Sequence, residues 1–183
     1  MEETILAILA LVGAEGQGII RCAINLVIER HAGQMRLGGE PHVTHVLRVG
    51  LAVGKWAAQH APKAFVNFVL VGILHDTLED TPTTDQELAS RFGLEVARAV
   101  RALSHVEEEE LDAVYLARVA EGGQLAVAVK RHDKLDNLRS LAGAPAEFRA
   151  KKIAETRVAF SIWKQIDPDA IPLFEAAIAE LEK

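Results

Sequence analysis

An almost wholly apolar run at residues 66–74 leads directly into ionisable residues at 75–80, and this junction constrains the fold more than any other feature. The β-branched residues of the run also permit a buried strand, because periodicity alone does not separate a buried strand from a buried helix. Length favours a helix, since Gly72 is the only potential breaker between Pro62 and Pro82. A helix that is apolar on every side lies at the centre of a bundle. The chain is therefore predicted to be all-α, around a buried central helix with a polar end.

Capping residues and glycines divide the rest of the chain into further helices. Thr84 and Glu87 have the spacing of a capping box, which starts a short helix that Gly93 ends. The acidic run at 107–110 suits the positive end of a helix and is read as a solvated helix start in preference to a metal-binding patch. With a central helix over 64–78, these signals predict helices up to residue 12 and over 19–31, 42–59, 84–92, 94–103, 107–119, 124–140 and 145–165, and a last helix after residue 172.

The composition indicates an ordinary soluble protein with one core. The chain has 183 residues, of which half are apolar and a quarter charged, within the roughly 100–200 residues of a typical domain. A net charge of −6 leaves no excess of lysine and arginine to displace counterions from a nucleic acid. A small anionic ligand needs only a local positive cluster. Nucleic-acid polymers are therefore not expected partners.

Targeting signals are also not expected. Cys22 is the only cysteine, which excludes an intrachain disulfide and favours a reducing compartment. The apolar run at 5–12 follows two glutamates, whereas a signal peptide begins with a basic region. No uncharged stretch reaches the roughly 18–20 residues of a membrane span. We therefore expect a cytoplasmic protein without a membrane partner, and the sequence leaves its oligomeric state open.

Polar groups that follow a buried helix are costly to hold there unless they are paired or bind a cation. A lone pair such as His75 and Asp76 more often caps a helix than binds a metal. Two further residues alter that balance, namely His45 near the start of the preceding long helix and Asp133 in a later one. Two imidazoles and two carboxylates can leave coordination positions open. Such a set suits manganese, iron or magnesium better than a closed structural zinc site.

The order of these motifs resembles the HD superfamily of metal-dependent phosphohydrolases, and in particular the hydrolase domain of RelA/SpoT-type proteins and the small alarmone hydrolases. The similarity covers about residues 17–141. It implies an all-α, HD-domain helical bundle that forms a single domain over residues 1–183, with additional C-terminal helices over 145–183. The stretch after the last motif is too short for the synthetase domain of the long relatives, so degradation without synthesis is expected. The matching segments lie at residues 31–36, 39–45, 75–81, 92–93 and 130–139.

This resemblance assigns roles position by position. One divalent ion, usually manganese in the family, is implied. Glu79 and Asp80 match the acidic pair that positions and activates the attacking water. The implied metal ligands are His45, His75, Asp76 and Asp133.

The resemblance also implies residues that bind a nucleotide. Arg36 matches a basic residue that packs against the base, and Asn137 matches a residue that contacts the nucleotide. Ser140 aligns with a hydroxyl position near the ligand. Lys130 and Lys134 are either phosphate neighbours or part of the charged face of their helix.

The implied reaction is release of pyrophosphate from the 3′ position of guanosine tetra- or pentaphosphate. Departures from the family pattern leave every ligand in place but leave the substrate open. Leu37 replaces a frequent second cation, His42 replaces a usual tyrosine, and Asp136 adds a carboxylate that is expected to weaken anion binding. An alternative substrate is another phosphorylated nucleotide or dinucleotide cofactor. A non-catalytic nucleotide sensor is disfavoured because all ligands and both acidic residues are present.

Overall fold

The computed structural model describes residues 1–105 and 112–183 of the chain. Over these residues the fold is helical, and the only β-type pairing described is an isolated bridge between Met35 and Pro41. The all-α prediction is therefore confirmed. A short 3-10 turn at Leu141–Gly143 follows α8. The helices are α1 (Glu2–Arg30), α2 (His42–His60), α3 (Phe65–Leu74), α4 (Thr77–Asp80), α5 (Asp85–Phe92), α6 (Leu94–Leu103), α7 (Asp112–Glu121), α8 (Gly123–Ser140), α9 (Ala146–Val158), α10 (Phe160–Ile166) and α11 (Ala170–Leu181).

Helix α3 is the predicted central helix. Every residue from Phe68 to Leu74 is buried, and the helix contacts α1, α2, α6 and α8. The helix ends at Leu74 and does not continue to residue 78 as the sequence predicts. Side chains explain this end, because Thr77 Oγ1 donates to the Leu74 carbonyl and His75 Nδ1 donates to the Gly72 carbonyl. These bonds satisfy carbonyls that the last helical turn leaves unpaired.

The predicted break between two helices is confirmed at Gly13, whose φ of 65° and ψ of 180° are non-helical and kink α1 into two helical segments. The break is shorter than predicted, because the second segment begins directly after Gly13 and not after residue 18. Gly16 remains helical and lies against Val12 and Val66, where a Cβ would stand 3.1 Å from the Val12 Cβ. A glycine inside a helix costs only about 1 kcal/mol, which the packing of α1 on α2 and α3 offsets.

The C-terminal boundaries also differ from prediction. The helix expected over 145–165 is two helices, α9 and α10, separated at Ala159. The last helix begins at Ala170, so Pro172 lies in its first turn, where a missing N–H costs nothing because those donors have no helical partner. The acidic run at 107–110 lies outside the described residues.

Helix α1 is, by length and composition, apolar enough to cross a membrane, although the sequence was expected to contain no such stretch. One face of it packs on α2 and α3. Ile8, Ile20 and Val27 on this face are fully buried in the core of the bundle. In the structure the helix is thus an element of the bundle.

Helices α2 and α3 meet almost backbone to backbone at Gly50 and Gly72. A Cβ on Gly72 would lie 2.8 Å from both the Gly50 Cα and the Val53 Cγ1, and a Cβ on Gly50 would lie 2.6 Å from the Ile73 Cγ1. Only glycine permits this approach. Because His45 lies on α2 and His75 follows α3, the contact sets how closely the two imidazoles approach.

Gly72→Ala is expected to lower the free energy of unfolding by about 1–3 kcal/mol, because the added methyl overpacks the contact between α2 and α3. Urea unfolding followed by circular dichroism measures this change. The matched control is Gly18→Ala, an exposed helical position with nothing within 4 Å of the new Cβ. That control should be neutral or slightly stabilising, since alanine favours the helix by about 1 kcal/mol. Equal stabilities for the two variants would contradict the packing described here.

Candidate metal site

The four residues predicted as metal ligands converge at one end of α3. The Nε2 atom of His45 lies 3.3 Å from Oδ1 of Asp133 and 3.7 Å from Oδ2 of Asp76. The Nε2 atom of His75 lies 3.1 Å from Oδ1 of Asp76 and 3.8 Å from Oδ1 of Asp133. Both histidines and Asp133 are buried, and Asp76 is partly exposed. The helices α2, α3 and α8 thus bring together residues that are far apart in the sequence.

The orientation of both imidazoles leaves their Nε2 atoms facing the two carboxylates. His75 Nδ1 donates to the Gly72 carbonyl at 2.9 Å, and His45 Nδ1 donates to Asp136 Oδ2 at 2.7 Å. Such bonds fix which nitrogen of a metal-binding histidine carries the proton. The Nε2 atom of His75 is buried and makes no hydrogen bond, although a carboxylate oxygen lies 3.1 Å away. This chemistry fits a divalent cation, for which imidazole nitrogen and carboxylate oxygen are suitable ligands.

The charges at the site are strongly coupled. Burial alone would lower the pKa of His75, but the carboxylates of Asp76 and Asp133 raise it to about 10. Burial alone would raise the pKa of Asp133, but Lys130 and the two imidazoles hold it well below its usual range. Both carboxylates therefore stay negatively charged. In protein without metal the His75 imidazole carries a compensating proton, and a divalent cation would replace that positive charge.

Asp133 is held from its own helix. Lys130 Nζ lies 2.8 Å from its Oδ2, and Asn137 Nδ2 donates to its Oδ1 at 2.6 Å. The Lys130 ammonium also lies 5.0 Å from the centre of the Tyr115 ring. Lys130 is therefore paired with Asp133.

Asp136 is a residue whose role the sequence did not predict. Its carboxylate accepts hydrogen bonds from His45 Nδ1 and from Arg48, whose Nε and Nη2 lie 2.7 and 2.9 Å away. Arg36 Nη1 also lies near this carboxylate, 3.9 Å from Asp136 Oδ2. Two guanidinium groups thus compensate the added carboxylate, so its cost to an anionic ligand is smaller than expected. The signal was present in the sequence, because Asp136 lies three residues after Asp133 and shares its helical face.

Three of the residues predicted to bind a nucleotide also meet. Arg36 Nη2 donates to Asn137 Oδ1 at 2.7 Å and to Ser140 Oγ at 3.1 Å. The loop after α1 is thereby joined to the end of α8, next to the candidate metal ligands. Lys134 is half-buried on the same helix, and its positive charge helps to lower the pKa of Glu155 on α9.

The two predicted catalytic carboxylates lie on the short helix α4 and have different neighbours. Glu79 Oε2 accepts a hydrogen bond from the backbone N–H of His105 at 2.9 Å. Asp80 Oδ2 lies 3.8 Å from His42 Nε2. Partial burial and the nearby charge of Asp76 raise the pKa of Asp80. Both side chains are accessible to solvent. They lie close to the candidate metal ligands because α4 begins directly after Asp76.

Other histidines and tryptophans differ in their exposure. His60 and His105 are exposed. Trp163 is fully buried in the core. Trp56 is only partly buried and stacks on His60 with 4.7 Å between ring centres.

The chain matches a known protein family over most of its length. The HD-domain family model matches residues 23–166, which extends beyond the motif-bearing region into α10. The chain belongs to the HD-domain family. The guanosine-3′,5′-bis(diphosphate) 3′-pyrophosphohydrolase of Aquifex aeolicus is 32% identical over 75% of this chain and 20% of its own length. A probable GTP pyrophosphokinase of Mycobacterium leprae is 30% identical over 75% of this chain and 18% of its own length.

The fold of this HD-domain protein is similar to that of a solved relative. A metazoan ortholog of SpoT that hydrolyses ppGpp aligns with a TM-score of 0.64 and 22% identity, covering 89% of this chain and 93% of that one. This likeness supports the all-α HD architecture. The chain spans only about a fifth of the length of the curated relatives that it matches.

Asp136→Ala is expected to weaken binding of Mn²⁺ by about 10- to 100-fold, because it removes the partner that orients the His45 ring. Isothermal titration calorimetry measures the dissociation constant. Asp169→Ala is the matched control, since Asp169 is exposed and makes no side-chain capping bond at the start of α11. An unchanged dissociation constant in Asp136→Ala would show that His45 does not depend on this carboxylate.

Proposed function

We propose that this HD-domain protein is a metal-dependent phosphohydrolase that releases pyrophosphate from the 3′ position of guanosine 3′,5′-bis(diphosphate). The observation that carries the proposal is the convergence of two imidazole Nε2 atoms with the buried carboxylate of Asp133 and the partly exposed carboxylate of Asp76, at distances of 3.1–3.8 Å. Relatives named as 3′-pyrophosphohydrolases and a structural neighbour that hydrolyses ppGpp support the choice of substrate.

The proposed ligands of one divalent ion are His45, His75, Asp76 and Asp133. Manganese is the proposed metal because the set combines nitrogen and oxygen donors without a thiolate. Cys22 lies exposed on α1 and supplies no ligand to this set. When bound, the cation would lower the pKa of a coordinated water and neutralise phosphate oxygens.

The proposed nucleotide contacts come from the cluster of Arg36, Asn137 and Ser140. The guanidinium of Arg36 is fixed by its bonds to the other two side chains, and its plane can pack against a base. Lys134 is proposed to attract the phosphates as a half-buried cation on the same helix. Lys130 contributes through Asp133, to which its ammonium is bonded.

Glu79 and Asp80 are the proposed acceptors of the proton of the attacking water. The new bond joins the water oxygen to the phosphorus attached at the 3′ oxygen. The bond between that phosphorus and the 3′ oxygen breaks, and the 3′ oxygen takes up a proton. The raised pKa of Asp80 makes it a stronger base than an ordinary aspartate.

We also propose that the protein acts in the cytoplasm as one HD unit over residues 1–183, on a small nucleotide and not on a nucleic-acid polymer or a membrane. The lone exposed cysteine suits a reducing compartment. Residues from Ile8 to Ile178 belong to one hydrophobic cluster, which supports a single unit.

Protein loaded with Mn²⁺ is expected to release pyrophosphate from guanosine 3′,5′-bis(diphosphate), as measured by a coupled pyrophosphate assay. The double variant His75→Ala/Asp76→Ala should lose at least about 100-fold in kcat/KM, because even indirect metal partners cost 10- to 100-fold. The matched control His60→Ala, at an exposed histidine on α2, should keep full activity.

Two results would contradict the proposal. Equal rates in the double variant and the wild type would remove the metal site from the reaction. Absence of pyrophosphate release from metal-loaded protein would reassign the site to another phosphorylated nucleotide or dinucleotide cofactor. The second outcome would agree with Leu37, which is 87% exposed where the family often has a cation.

A further inference from the structure

A second group of possible metal ligands lies directly beside the first. It consists of His31 from the end of α1, His42 from the start of α2 and Asp80 from α4. One ligand atom from each of these residues lies within 4.8 Å of the others. The rings of His31 and His42 are 4.7 Å apart between their centres. The proposed reaction assigns no role to either histidine.

His31 is arranged as a metal-binding histidine would be. It is 2% exposed, and its Nε2 atom is buried without a hydrogen-bond partner among the described residues. Its Nδ1 lies 2.7 Å from the side-chain oxygen of Gln34, whose own amide nitrogen donates to the Asp80 carbonyl at 2.9 Å. The glutamine therefore presents its oxygen to His31, so Nδ1 carries the proton and Nε2 carries the lone pair.

An unpaired buried acceptor costs about 1–3 kcal/mol, so a fold that keeps one calls for an explanation. A hydrogen bond from Nδ1 to an acceptor, here the Gln34 oxygen, is the usual outer contact of a histidine ligand, since it fixes the tautomer and the ring orientation. A cation at Nε2 would satisfy the atom that the protein itself leaves unpaired.

Asp76 lies between the two groups and contacts both. Its Oδ1 is 3.1 Å from His75 Nε2, and its Oδ2 is 2.9 Å from His42 Nε2 and 3.7 Å from His45 Nε2. Asp80 Oδ2 lies 3.8 Å from the same nitrogen of His42. A carboxylate that contacts two sets of ligands is placed to bridge two cations.

We propose that His31, His42 and Asp80 form a second divalent-cation site that shares Asp76 with the first. Pairs of cations in hydrolases stand roughly 3.5–4 Å apart and clamp the attacking and leaving oxygens. The existence of this site does not depend on the substrate. One consequence rests on the proposed function: with Asp80 as a ligand, Glu79 becomes the carboxylate that accepts the proton of water.

The test is the number of Mn²⁺ ions bound per chain at saturation, measured by equilibrium dialysis and elemental analysis. Wild-type protein should bind two, and His42→Tyr should bind one. Tyrosine keeps an aromatic ring against His31 and loses the imidazole ligand. His31→Gln is a second variant with the same expectation, and His60→Gln, an exposed histidine outside both groups, should still bind two.

Electron paramagnetic resonance supplies an independent readout, because two Mn²⁺ ions that share a carboxylate are spin-coupled and an isolated ion is not. The coupled signal should be present in the wild type and absent in His42→Tyr. Circular dichroism confirms that each variant is folded, and His42→Tyr alone decides if the buried His31→Gln variant does not fold.

The proposal is overturned if wild-type protein binds one ion at saturation, or if both variants still bind two. In either case His42 serves only to hold Asp76 by a hydrogen bond. The pyrophosphate assay is separate from these measurements. If the protein binds two ions and releases no pyrophosphate, the second site is supported and the proposed function is contradicted. If it binds one ion and releases pyrophosphate at the full rate, the proposed function is supported and the second site is contradicted.

Discussion

The close contact of α2 with α3 at Gly50 and Gly72 is the constraint on which the rest of the structure depends. With no Cβ at either position, the two backbones approach to a distance that other residues would prevent. His45 and His75 then face each other with 5.3 Å between ring centres. Interiors are packed too densely to absorb an extra methyl without movement. The separation of the two imidazoles is therefore fixed by the core.

Charge is the second organising element, because the candidate site concentrates carboxylates at the buried end of an apolar helix. Asp136 is neutralised by Arg48, and Asp133 is partly neutralised by Lys130. The pKa of Asp76 is held far below the usual value by His75 and His42, against the effects of burial and of the nearby Asp133 carboxylate. A cation completes this balance. The arrangement therefore attracts positive charge to this end of α3.

The sequence allowed the fold class and the convergence of the ligands to be predicted, for identifiable reasons. The apolar run before His75 predicts burial, and the capping pattern at Thr84 is confirmed by its bond to the Glu87 N–H. Helix ends were harder to predict. The end of α3 depends on side-chain bonds from Thr77 and His75, and the helical state of the residues directly after Gly13 depends on tertiary packing around Gly16. Helix propensity reflects the local sequence alone and so does not predict either kind of contact.

Roles that depend on a partner from another helix were harder to predict. Asp136 reads as a liability until Arg48 of α2 is placed against it, because these two residues are far apart in the sequence. The pairing of Lys130 with Asp133 is different, since the two residues are three apart on α8 and the helical period brings them together. His31 and Gln34 gain significance only because the structure leaves one nitrogen of the histidine unpaired.

The most direct test of the central claim is X-ray diffraction from crystals grown with Mn²⁺, with data collected at the manganese absorption edge. The account predicts an anomalous-difference peak enclosed by the Nε2 atoms of His45 and His75 and by the carboxylates of Asp76 and Asp133. A fully loaded crystal with no peak among these four side chains would contradict it.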